Sequence, residues 1–219
     1  MIHKIYWGIA VILIAGGIYC SQTYLSKNTD PGWKTESFSY LPDNERIKDV
    51  LLGYETTVSH YLWIRSVIYF GEHYKGDKRY LWIVNMLDII TKLNPLFYPA
   101  YEFAGVLLPD ITTNPDIPRI LLERGLTKLN NRQWNIAFYT GMLYYQKYSD
   151  TYTAAKYFEM ASRFNSPHKA KYATLAAAFY KKSGLEKDGL NFLLFMYETS
   201  DNPEVKRHLK EKIEHYVKK

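Results

Sequence analysis

The stretch TGMLYYQKYSDTYTAAKYFEMASRFNSP, residues 140–167, decides the fold. Its first half sets Gly141 among apolar and aromatic side chains, with Tyr144 three residues on. Ser149-Asp150 interrupts the run, and Asp150 reads as a residue that starts a helix rather than as a catalytic carboxylate. Ala154, Phe158 and Ala161 then follow at steps of four and three, which is one face of a second helix. A small side chain lets the first helix touch the second closely, and the ring fills the groove alongside. The stretch therefore reads as a helix hairpin.

The arrangement recurs outward in both directions. Gly71 stands in Phe70-Gly71-x-x-Tyr74, Gly105 in Ala104-Gly105-x-x-Leu108, and Ala177 in Ala176-Ala177-x-x-Tyr180. From Gly71 through Gly141 to Ala177 the small residues are 34, 36 and 36 positions apart. A period of that size signals a repeated supersecondary unit. The first unit supplies Ile83, Leu87 and Ile90 as its second helix and ends at Pro95, which stops it. The second runs from Gly105 to Asn130, and the fourth has Gly184 at its turn with Gly189 as its second small residue. No stretch alternates convincingly with period two, so no sheet is expected. Ahead of the repeats, Asp43 can start a long entry helix over 43–75, with Ile47, Leu51, Tyr54, Val58, Tyr61 and Ile68 along it. After them, Asn202-Pro203-Glu204 opens a closing helix over 203–219. Its Val205, Leu209, Ile213 and Val217 face inward, and its lysines and Arg207 face out.

From about Arg65 to Pro203 these units resemble the tetratricopeptide repeat family, a helix–turn–helix of 34 residues with small residues at set places and a closing proline. The resemblance implies an all-α fold: a right-handed α-solenoid of helix hairpins over 43–219, with repeats to about residue 202. It also implies that the first helix of each repeat lines a concave, peptide-binding face. Carrying the family's register across gives Glu102, Val106 and Asp110, then Phe138, Met142, Tyr145 and Gln146, then Thr174, Ala178, Lys181 and Lys182. That surface is acidic at one end, aromatic in the middle and basic at the other. Its rings and Met142 suit adaptable apolar contacts, and its lysines suit a carboxylate. The asparagine of the family's carboxylate clamp has no counterpart here.

The other end of the chain carries a different signal. Met1-Ile2-His3-Lys4 precedes an apolar run from Ile5 to Cys20. An uncleaved signal anchor over residues 1–25, N-terminus inside, is the favoured reading. Ala15-Gly16-Gly17 leaves open a cleaved signal and a secreted protein, whereas bulky Tyr19 before Cys20 disfavours a lipoprotein. Either way the body is expected outside the cytoplasm, periplasmic if bacterial. Residues 26–42 lack a helical period and read as a linker.

Composition narrows the rest. The 219 residues carry a net charge of +6, a mild excess that suits an anionic partner or a membrane surface and does not demand nucleic acid. One cysteine excludes an intrachain disulfide and a cysteine-based zinc cluster. None of the six histidines stands in a His-x-x-x-His or His-Glu-x-x-His pair, and there is no nucleophile elbow, phosphate loop or dinucleotide fingerprint. No cofactor, metal or small-molecule substrate is expected. The expectation is a non-enzymatic, membrane-anchored scaffold that binds a protein or peptide client in an envelope assembly such as a pilus, secretion or transport system. The alternative is a periplasmic chaperone or accessory subunit for an exported or cofactor-bearing enzyme.

Overall fold

A computed structural model describes residues 14–20, 51–76, 79–80, 82–129, 133–164, 166 and 168–217. The chain divides into two compact units, 1–42 and 43–219. In the first, residues 14–20 are helical and exposed. The remainder of the expected anchor over 1–25, and the linker over 26–42, lie outside the described residues. No described helix is long and apolar enough to cross a membrane.

The second unit is all-helical among its described residues. Its main helices are α1 (Glu55–Lys75), α2 (Ile83–Leu93), α3 (Tyr98–Ile111), α4 (Asp116–Lys128), α5 (Trp134–Tyr148), α6 (Thr151–Arg163), α7 (Lys169–Lys182), α8 (Glu186–Glu198) and α9 (Pro203–Val217). The expected entry helix over 43–75 does not run through. Leu52 and Gly53 take left-handed backbone, φ 46° and 94°, and a right-handed helix cannot propagate across them. α1 therefore starts at Glu55. The later boundaries follow local chemistry. Ser149 ends α5 in left-handed conformation, and Asp150 then accepts the Thr153 amide at 2.9 Å to start α6. Gly184, φ 82°, turns α7 into α8. Asn202 accepts the Glu204 amide at 2.9 Å ahead of Pro203.

Every extensive contact joins helices one or two apart in chain order. α1/α2, α3/α4, α5/α6 and α7/α8 pair as antiparallel hairpins, and α9 closes on α7 and α8. Two apolar clusters form the core. One holds Tyr101, Leu122, Leu126, Ile136, Ala137, Leu143, Ala161 and Tyr172. The other holds Ala154, Phe158, Ala173, Ala176, Ala177, Phe192, Leu193, Met196 and Leu209. Val205 and Ile213 of α9 pack on the second cluster, as the inward stripe requires.

The glycines show how closely the helices approach. A Cβ on Gly141 would lie 2.7 Å from the Phe158 ring, and one on Gly105 would lie 2.9 Å from Tyr139. Gly125 of α4, which no sequence pattern singled out, is pressed against the Tyr101 ring in the same way. Gly189 of α8 abuts the Ala177 carbonyl and the Tyr216 hydroxyl. Gly71 breaks this pattern. It is exposed with nothing within 4 Å, and Tyr74 beside it is 62% exposed, its ring tilted against Phe70 of the same helix. The small residue on the inner face of α1 is Ser66, fully buried between Leu62 and Tyr69, and it stands 39 positions before Gly105. The 34-residue step from Gly71 is a coincidence of composition.

Substituting alanine separates the two kinds of glycine. Gly141→Ala forces a methyl into the Phe158 ring and lowers stability by about 1–3 kcal/mol. Gly71→Ala meets open space and raises it by about 0.5–1 kcal/mol through helix propensity. Urea titration of the two variants in dilute protein reads the opposite signs.

Candidate protein-binding face

The residues expected to line a peptide groove sit on α3, α5 and α7, and the structure sorts them into three groups. Phe138 and Met142 are partly buried and pack on the core. The Phe138 ring lies 5.3 Å from Tyr172 and 5.8 Å from Phe158, joining both apolar clusters, and Met142 packs against the second cluster. Both side chains are partly buried, as Tyr145 is, and both are committed to contacts between hairpins. Glu102 and Thr174 are half-buried and engaged. Glu102 accepts from the Asn135 amide at 2.7 Å, the same amide that donates to the Tyr98 hydroxyl, and Thr174 donates to the Ala170 carbonyl. Val106, Asp110, Gln146, Ala178 and Lys182 are exposed.

Tyr145 stands between these groups. Its half-buried ring meets Phe179 edge-on at 4.8 Å, and its hydroxyl accepts from Lys182 Nζ at 3.0 Å. Lys182 Nζ also lies 4.4 Å from the centre of the Tyr145 ring, a cation–π contact. Tyr145 and Lys182 thus come together across α5 and α7. Lys181 does not join them. It pairs with Glu186 and lies over the Tyr216 ring, since adjacent helical residues diverge by about 100°. The surviving face is Val106 and Asp110 on α3, Tyr145 and Gln146 on α5, and Ala178 and Lys182 on α7.

Behind this face run polar contacts that sequence reading missed. Tyr144 of α5 donates to Glu123 of α4 at 2.9 Å, and Tyr180 of α7 donates to Glu159 of α6. Both tyrosines and both glutamates are 36 positions apart. Burial raises the pKa of each phenol, and the neighbouring carboxylate raises it further. At the other end Arg124 of α4 donates to Asp88 of α2 at 2.8 Å and to Thr91 at 2.9 Å. Burial pushes the Asp88 carboxyl up, and hydrogen bonds from Lys92 and Arg124 outweigh it and hold the group below its usual range. The equal 36-residue steps were the one available signal; without a fold, nothing tells a paired glutamate from a solvated one.

A cleft of about 410 Å³ lies between α6, α7 and α8, lined by Tyr152, Glu159, Arg163, Tyr180, Asp188 and Phe195 among others. Its charges are largely paired within the chain, Arg163 to Glu159 at 2.6 Å. Among the described residues no group of three or more His, Cys, Asp or Glu side chains is placed to hold a metal ion. No family model, curated protein or solved structure matches the chain.

The tyrosine–glutamate pairs set an alkaline limit. Above about pH 10 the unfolded chain loses phenolic protons that the folded chain keeps, so stability falls as pH rises. Thermal midpoints measured from pH 8 to 11 should drop steeply in the upper half. Tyr180→Phe should flatten that drop while lowering the midpoint at pH 8. The acidic limb has the opposite sense: the stability from Asp88 is present above about pH 4, the ordinary carboxylate range, and lost as pH falls below it. Asp88→Asn therefore costs stability at pH 7 and progressively less toward pH 3.

Proposed function

We propose that the protein is a helix-hairpin solenoid of the tetratricopeptide type that serves as a non-enzymatic scaffold. Its first 25 residues anchor it in the cytoplasmic membrane with the helical body outside the cytoplasm. Its first helices present a face to a protein or peptide client, and the client carries an acidic segment.

One observation carries this reading: Lys182, Tyr145 and Phe179 meet across α5 and α7, putting an exposed ammonium beside two rings. Exposed Gln146 and Ala178 flank them, so an incoming chain finds a cation, an amide and an apolar floor within one hairpin step. An acidic side chain can take the hydrogens of Lys182 that Tyr145 leaves free, and an apolar neighbour can settle on the Tyr145 ring. The pairwise packing of hairpins in chain order supports the solenoid, because it sets successive first helices next to one another.

Photo-crosslinking in intact cells tests the face. A photoreactive residue at Gln146 or Ala178 should capture a discrete client, and one at Lys156 on α6 should not. Lys182→Glu should cut the capture at least tenfold, more strongly at low salt than at high, with the thermal midpoint unchanged. Tyr145→Phe keeps the ring and should have a milder effect. Equal capture from α6, or indifference to Lys182→Glu, sinks the reading. The anchor is tested separately: the mature chain should keep residues 1–25 and stay with membranes through alkaline carbonate, and an intact mass beginning near residue 18 would count against it.

A further inference from the structure

α1 buries Leu62, Ser66 and Tyr69, and the opposite side of the helix is apolar as well. Tyr61, Ile64 and Ile68 are 55, 57 and 46% exposed there. With Thr57, Gly71 and Lys75 they form one stripe at steps of three and four. Counted from Ser66, Tyr61, Ile64 and Ile68 occupy the places of Ile136, Tyr139 and Leu143 in α5 and of Tyr172, Leu175 and Phe179 in α7. In those helices this face packs on the preceding hairpin. Tyr139 covers Gly105, Tyr172 lies 5.3 Å from both Trp134 and Phe138, and Phe179 meets Tyr145. Among the described residues no hairpin precedes α1, yet its stripe keeps the chemistry of a hairpin-packing surface.

Gly71 is the second observation. Gly105, Gly125 and Gly141 each sit under an aromatic ring, Tyr139, Tyr101 and Phe158. Gly71 lies near the C-terminal turn of α1, on the exposed stripe, with no described atom within 4 Å of where its Cβ would be. A glycine there weakens the helix relative to alanine, and among the described residues no contact offsets that.

We propose that α1 is the contact surface for a second copy of this chain, the two α1 helices packing antiparallel about a twofold axis level with Ser66. In that register Tyr61 comes level with the partner's Gly71, and Ile64 comes level with the partner's Ile68. Each contact occurs twice, as an isologous interface requires. The ring missing over Gly71 is then supplied by the other copy, in the manner used three times inside the chain. Between Thr57 and Gly71 the stripe has no ionised side chain, and each Lys75 comes level with the partner's Thr57 at the ends of the contact. A parallel pairing would instead set lysine on lysine and glycine on glycine. This interface is independent of the client-binding face.

The test uses the full chain in detergent with Cys20→Ser as background. Tyr61→Cys and Gly71→Cys are introduced together. They lie ten positions apart on one helix, roughly 15 Å, too far for an intrachain disulfide. Mild oxidation should give a doubly linked dimer on non-reducing gels, and either substitution alone at least tenfold less. Gly71→Leu, which fills open space, should keep the fold in dilute protein and weaken self-association at least tenfold by sedimentation equilibrium. Four outcomes overturn the proposal. The double variant stays monomeric; or Gly71→Cys alone crosslinks as well as the pair, which means parallel packing. Gly71→Leu lowers the thermal midpoint of dilute protein, which means the chain itself covers the stripe. Or Gly71→Leu spares self-association and abolishes binding to phosphatidylglycerol vesicles, which means the membrane covers it.

Discussion

An aromatic ring pressed against bare helix backbone sets the spacing on which the fold depends. Gly141 under Phe158 closes the third hairpin, Gly125 under Tyr101 closes the second, and Gly105 under Tyr139 joins one hairpin to the next. Each places a large apolar disc where a Cβ would otherwise hold two helices apart, so burial and close approach are gained together. Remove the disc and a slot opens; fill the slot with a methyl and the disc must move. Tyr101, Phe158, Leu122 and Leu143 are fully buried because of this fit.

The polar contacts add specificity to that packing. Tyr144 reaches Glu123 and Tyr180 reaches Glu159, in both cases from the first helix of a hairpin to the second helix of the one before. A half-buried phenol or carboxylate without its partner is costly. The pairs therefore favour one order and one rotation of neighbouring hairpins over others that bury similar apolar area. Between α2 and α4 the same purpose is met by different residues, Asp88 and Thr91 with Arg124.

Most of the helix pattern was legible in the residues because helical spacing, caps and turn glycines are local. Asp150, Gly184 and Pro203 mark boundaries that the structure keeps. Gly71 shows where locality fails. Its neighbours Phe70 and Tyr74 mimic the pattern around Gly105, but which face of a helix is inner depends on what packs against it, and the buried face of α1 is that of Ser59, Leu62, Ser66 and Tyr69. The site failed for the same reason. Phe138, Met142 and Tyr145 share a face, and the hairpin of α7 and α8 packs on all three, so none of them is simply groove surface. Lys182 was readable as a charge, but its seat on the Tyr145 ring was not, because 37 positions separate them.

The order of contacts has a mechanical meaning. Among the described residues every extensive contact joins helices one or two apart, and none of them staples α1 to α8 or α9. A pull between the two ends of the helical unit is carried in series by its successive hairpins. Such a chain yields one hairpin at a time, like a zip, and each released pair lengthens the tether by many times its folded span.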